Sequence, residues 1–208
     1  MKKITLSILG LLAFGYASAQ DGGTRFGAKA GLNMASISGD IEDAEMKLGF
    51  HVGGFAEIML TDKFAVQPEL LFSMQGAKRE YSESFGGFDF DTEEKLNLTY
   101  INVPIMAKYY VTEAFNIHAG PQVGFLMSAK YDYEVSGAGE SESGDEDVKD
   151  QYKSIDFGLG FGLGYNFGEN FGVEARYTAG MANIADVDED SDYKESNSVI
   201  QVSFLYRF

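Results

Sequence analysis

The chain has no cysteine and no tryptophan, and only three prolines and two histidines in 208 residues. Without cysteine there is neither a disulfide framework nor thiol chemistry. His51 and His118 are the only side chains that ordinarily titrate near neutral pH. They lie toward opposite ends of the segments that carry them, so no shared acid–base site is expected, and a hydrolase would need a His beside a nucleophile and an orienting acid. Such a site would have to bring His51 against Ser154 or Asp156 across the upper lumen. Basic residues are scarce as well: 16 against 32 acidic, a net charge of −16. That balance disfavours nucleic acid as a partner. After the first twenty residues no apolar run approaches the roughly 20 residues a membrane-spanning helix needs. No phosphate loop is present, because Gly158-Leu159-Gly160-Phe161-Gly162 alternates within a strand and opens no helix.

What the chain has instead is alternation. From Ile155 to Phe167 every odd position is apolar and large, and every even position is Asp, Asn or Gly. Side chains in a strand alternate faces with a period of 2, so one face is a greasy stripe and the other is nearly bare. A lipid-facing barrel strand fits that split, with acyl chains outside and a crowded lumen inside. Seven further segments alternate: Arg25–Met34, Leu48–Leu60, Ala65–Arg79, Leu96–Val111, Asn116–Tyr131, Phe171–Asn183 and Ser198–Phe208. The pattern predicts an all-β fold, an eight-stranded antiparallel transmembrane β-barrel in a simple meander, since closed barrels of this kind take an even strand number. Mean hydropathy near −0.15 hides this, because the lumen face dilutes the apolar one.

Residues 1–19 carry Lys2 and Lys3, an apolar run from Ile4 to Phe14 and a small-x-small end at Ala17-Ser18-Ala19. They read as a secretory signal peptide, leaving residues 20–208 as one barrel domain. Three connections are short: Thr61-Asp62-Lys63-Phe64, Thr112-Glu113-Ala114-Phe115 and Gly168-Glu169-Asn170-Phe171. Four are long and polar: Ala35–Lys47, Glu80–Lys95, Asp132–Lys153 and Ile184–Ser196. Short periplasmic turns and long outer loops are the asymmetry of outer-membrane barrels, so both termini are expected in the periplasm. The long loops hold three-quarters of the acidic residues. Expected partners are outer-membrane lipids and lipopolysaccharide, with divalent cations bridging acidic loops to anionic sugars; a monomer is expected. Asp186–Asp192 starts like a calcium loop, but Ser191 and Asn197 stand where Gly and Glu are required, which argues against specific binding.

The same parity sends charges inward: Arg25, Lys29, Glu57, Glu69, Lys108, Glu174, Arg176 and Arg207, with His118, Gln122, Ser128 and Lys130 on the fifth segment. Eight strands leave an interior that side chains fill, so opposite charges should pair there into a plug. A narrow gated path is the other possibility. The bare positions Gly158, Gly160, Gly162 and Gly164 are expected to give the long side chains room. Aromatic belts are expected at both ends of the strands, with Phe50, Phe125, Tyr131 and Phe157 at the loop end. No catalytic residue, metal ligand or cofactor is expected.

Tyr100-Ile101-Asn102-Val103-Pro104-Ile105-Met106-Ala107-Lys108-Tyr109-Tyr110, Gly120-Pro121-Gln122-Val123-Gly124-Phe125-Leu126, Asp156–Gly162, Glu174-Ala175-Arg176-Tyr177 and the terminal Phe208 together resemble the PorT-like outer-membrane β-barrel proteins of Bacteroidota. The resemblance covers nearly the whole exported chain. It implies a barrel of the outer membrane, delivered by the barrel-assembly machinery with Phe208 as the signal read, and for its namesake a link to protein secretion.

Overall fold

The computed structural model describes residues 23–40, 44–85, 88–137, 140–187 and 192–208. The expected signal peptide and the centre of the calcium-like motif lie outside the described residues. Among the described residues there are nine strands: β1 (Thr24–Gly39), β2 (Glu45–Met59), β3 (Phe64–Phe85), β4 (Phe88–Tyr110), β5 (Phe115–Gly137), β6 (Glu140–Asp147), β7 (Ile155–Phe167), β8 (Phe171–Gly180) and β9 (Glu195–Arg207). Eight close into an antiparallel ring in the order β1-β2-β3-β4-β5-β7-β8-β9, with β9 returning to β1. The ninth, β6, pairs only with the outer half of β5.

The ring is inside-out relative to a soluble barrel. On β7, Phe157, Leu159, Phe161, Leu163 and Tyr165 are each about half exposed, whereas Asp156 on the other face is 8% exposed. Rings stack along the outside at the short-turn end, with centroids 4.9 Å apart for Phe64 and Tyr109, 5.2 Å for Phe171 and Tyr206, and 5.6 Å for Tyr206 and Phe208. That is the belt expected where a barrel wall meets the lipid headgroups.

The short turns explain themselves locally. Thr61 Oγ1 accepts from the Phe64 N–H at 3.0 Å, and Thr112 Oγ1 accepts from the Phe115 N–H at 3.0 Å. A threonine hydroxyl thus closes each turn on the first residue of the next strand. The third turn uses Gly168 at φ +74° instead, a conformation that favours glycine.

Three expectations require correction. Glu80–Lys95 and much of Asp132–Lys153 are not irregular loops: β3, β4 and β5 run 22, 23 and 23 residues, about twice the 9–11 residues that cross a bilayer. Their outer halves and β6 form a four-stranded sheet beyond the ring. The second correction lies in β5, where Thr99 pairs with Ser128 but Tyr100 pairs with Leu126. Met127 is left over, a bulge that turns every later side chain to the opposite face. Ala129 therefore faces inward and is fully buried, while the Lys130 side chain is 52% exposed. Tyr131 packs against the interior and not in the loop-end belt. Finally, the Ile184–Ser196 connection is not wholly polar surface, because Ile184 is fully buried.

Candidate functional site

Seven of the eight predicted lumen charges meet in one buried layer toward the short-turn end. Arg176 on β8 grips Glu69 on β3 with two bonds, 2.6 Å and 3.0 Å. Lys29 on β1 lies 2.5 Å from Glu174 and 3.3 Å from Glu69. Lys108 on β4 reaches Glu57 at 2.9 Å and Glu174 at 3.2 Å, and donates to Gln67 Oε1 at 2.9 Å. The Tyr110 hydroxyl adds a bond to Glu57 at 2.7 Å. Arg207 is held more loosely, 3.5 Å from Glu57, with Asn166 accepting from its Nη2 at 2.8 Å. Arg25 stands apart. It is exposed in the short-turn mouth, a cavity of about 800 Å³ that it lines with Asp62, Lys63, Glu113 and Glu169. Arg25 is the second residue of β1, at the very end of the strand, so parity alone does not bring its guanidinium into the layer.

The layer fits because β7 is bare there. A Cβ built on Gly160 would lie 2.6 Å from Met106 Cε and 3.4 Å from Arg176 Cδ. The missing side chains are the space these neighbours occupy.

Above the ion pairs lies a tier of amides, hydroxyls and one imidazole. His51 Nε2 is 2.8 Å from Ser203 Oγ and His51 Nδ1 is 2.7 Å from Asn33 Oδ1. Asn33 also donates to Ser73 at 3.0 Å and to the Met74 carbonyl at 2.8 Å. His51 is therefore committed to Asn33 and Ser203, not to Ser154 or Asp156. The order hydroxyl, imidazole, amide resembles a nucleophile, its base and its orienter. Asn33, His51 and Ser203 are 0%, 1% and 3% exposed, so no substrate carbonyl reaches Ser203 in this conformation. The tier satisfies buried polar groups.

At the loop end the lumen is apolar. Ile37, Leu98, Leu126, Ala129, Val148 and Ile184 form one cluster, with Tyr131 and Tyr152 packed on it. Two connections are stitched across it. The Lys153 N–H donates to the Ile184 carbonyl at 2.8 Å, and the Ile184 N–H donates to the Glu195 carbonyl at 2.8 Å. Burial and Glu195 beside it raise the Tyr152 phenol well above its ordinary range. The cap escaped sequence reasoning because its anchor is a single isoleucine in an acidic stretch.

Both ends of the lumen are thus closed by different chemistry, charge below and hydrocarbon above. Outside the ring, the projecting sheet turns a carboxylate row outward: Glu80 pairs with Glu93, and Glu93 with Glu134. Lys78 and Lys95 sit beside the first two in partly exposed ion pairs, Lys95 at 2.7 Å from Glu93, contacts that water and salt screen. Among the described residues no group of three or more His, Cys, Asp and Glu is arranged to hold a metal ion.

A family model described as outer membrane protein beta-barrel domain matches residues 18–186. Among solved structures, Neisserial surface protein A is 14% identical over 88% of this chain and 97% of that one, with a TM-score of 0.50. Ail, the attachment invasion locus protein of Yersinia pestis, is 17% identical over 89% of this chain and 99% of that one, at 0.46. CarO of Acinetobacter baumannii is 14% identical over 88% and 97%, at 0.40. No curated protein matches the chain.

Proposed function

The chain belongs to the outer membrane protein β-barrel family, and we propose that it works there without chemistry, as a closed barrel whose projecting acidic sheet is its contact surface. The observation that supports this reading is the double closure of the lumen. Four buried cations and three buried carboxylates fill one layer, and an apolar cap seals the other end. A porin keeps a water-filled channel; here side chains occupy it.

The sheet then carries the work. Its outward face continues the lipid-facing wall of the barrel, so the row Glu80, Glu93 and Glu134 looks sideways, toward the sugars of neighbouring lipopolysaccharide. Two anionic surfaces associate through divalent cations, which favour carboxylate oxygens. Residues 1–19 serve as the export signal in this reading, and the short-turn end with Phe208 is periplasmic. The motifs in β4, β5, β7 and β8 support a PorT-like member of the family, for which a part in protein secretion is the further possibility.

Reconstitution in planar bilayers tests the closed barrel, and discrete conductance steps from the purified protein would sink it. Binding to immobilised lipopolysaccharide tests the sheet. Capture should need millimolar magnesium or calcium and fall when Glu80, Glu93 and Glu134 are changed together to glutamine. A second reading, a narrow gated path, rests on the loose Arg207–Glu57 contact at 3.5 Å; it is favoured if Glu57→Gln conducts and the parent does not.

A further inference from the structure

Above the apolar cap, the inner face of the projecting sheet and the connections beside it enclose a cavity of about 350 Å³, a volume typical of small-molecule sites. The register builds its long wall. Ala77 pairs with Leu96, Leu96 with Tyr131 and Tyr131 with Glu146, and residues directly opposite on antiparallel strands share a face. All four line the cavity. One row across β3, β4, β5 and β6 thus runs methyl, isobutyl, phenol and carboxylate. The bulge at Met127 makes this row possible, since without it Tyr131 would point to the other face. Val148 of the cap, with Ala44 and Tyr152 packed on it, completes the apolar lining.

The cations of the lining already have partners, and one carboxylate does not. Arg79 and Glu94 stand opposite each other one step farther out along the same face, and the Arg79 guanidinium lies over the Tyr81 ring at 5.1 Å. Lys78 is held by Glu80 and by Glu45, the latter 3.2 Å away. Glu146 is left over. Its neighbour Asp145 takes Lys130 at 3.6 Å, and among the described residues no lysine or arginine pairs with Glu146 itself. The acidic connections around the cavity concentrate cations and repel anions.

We propose that this cavity binds a small organic ammonium with an apolar body, which lies along Leu96 and Tyr131 while the ammonium meets Glu146. Neighbouring strands are about 4.8 Å apart, so the nitrogen stands about that far from the centre of the apolar part, the reach of an aromatic ring joined to an amine through a short alkyl linker. A bare metal ion gains nothing from Leu96 and Tyr131, and among the described residues no three carboxylates converge to hold one. The site lies on the opposite face of the sheet from Glu80, Glu93 and Glu134, so it does not depend on contact with lipopolysaccharide.

Isothermal titration calorimetry of the exported chain, refolded in uncharged maltoside micelles at neutral pH, tests this with three probes of one shape: phenethylamine, neutral 2-phenylethanol and anionic 3-phenylpropionate. Phenethylamine should bind saturably, one molecule per chain and several-fold more tightly than 2-phenylethanol, and 3-phenylpropionate should not bind. Glu146→Gln changes an exposed side chain and leaves folding alone; it should bring phenethylamine down to the level of 2-phenylethanol. Tyr131→Ala removes the ring from the row and should weaken both ligands. If Tyr131→Ala does not refold, Ala44→Phe fills the cavity from a connection outside the strands and should block both. Heat that never saturates and follows the micelle concentration, 3-phenylpropionate binding as well as phenethylamine, or an unchanged affinity in Glu146→Gln overturns the proposal.

Discussion

Lys108 Nζ lies 2.9 Å from Glu57 on β2 and 3.2 Å from Glu174 on β8, so a single ammonium from β4 bridges two carboxylates on strands that do not pair with each other. Replacing it removes the bridge and strands both anions. Lys108→Met should therefore cost about 3–5 kcal/mol, the range for breaking a buried ion pair from one side. The checking measurement is the urea midpoint of unfolding in micelles. Adding Glu57→Gln to Lys108→Met should recover part of the loss, because one stranded charge is gone. A midpoint equal to the parent's in Lys108→Met would mean that the layer is not coupled.

Gly160→Leu should impair assembly of the barrel, because even its Cβ would crowd Met106 Cε at 2.6 Å. That neighbour is the end of a flexible side chain, so Met106→Ala in the same molecule should restore folding. Gly162→Leu should not be rescued by any single truncation, since its Cβ meets the Ala175 carbonyl of the backbone. Heat-modifiable electrophoretic migration separates folded from unfolded barrel in each case. Equal folding of Gly160→Leu and the parent would argue for an open, water-filled interior.

These two cases show which parts of the fold the sequence makes legible. Strict alternation in Ile155–Phe167 survives into β7 because nothing in that strand breaks parity. The turns at Thr61 and Thr112 are local, so their residues announce them. In β5, by contrast, parity read across Met127 inverts the faces of Ser128 to Tyr131, and no residue there marks the bulge. The outer halves of β3, β4 and β5 carry acids on both faces, which erases the hydrophobic period that would have revealed them. Arg25 has the right parity, but depth along the barrel axis is not a property of parity. The contact of Asn33, His51 and Ser203 joins β1, β2 and β9, and only the closed ring brings it together.

That contact leads to a negative expectation. Although Ser203, His51 and Asn33 stand in a nucleophile, base and orienter order, Ser203 should not react with a fluorophosphonate probe in the folded barrel, and Ser203→Ala should leave any ester hydrolysis by the preparation unchanged. The same substitution leaves His51 Nε2 buried without a partner, which costs about 1–3 kcal/mol. The urea midpoint should therefore fall while reactivity stays flat. Probe labelling that is lost in Ser203→Ala would show that substrate does reach the lumen.

The cap and the ion-pair layer are separate closures, and their independence is testable through Ile184. Its side chain is fully buried in the apolar cluster, while its backbone ties the Lys153 and Glu195 connections together at 2.8 Å on each side. Ile184→Asp places a charge in that cluster, a cost of several kcal/mol that the segment avoids by lifting into water. Once lifted, it no longer holds either connection. Trypsin should then cut quickly after Lys153 and Lys194, while heat-modifiable migration shows the barrel intact. Conductance should remain absent, because the charges from Lys29 to Arg207 still fill the lumen below. Only Ile184→Asp combined with Lys108→Met breaches both layers, and discrete steps in planar bilayers are expected from that double variant alone. Steps from Ile184→Asp by itself would mean that the cap is the sole barrier and that the ion pairs part readily.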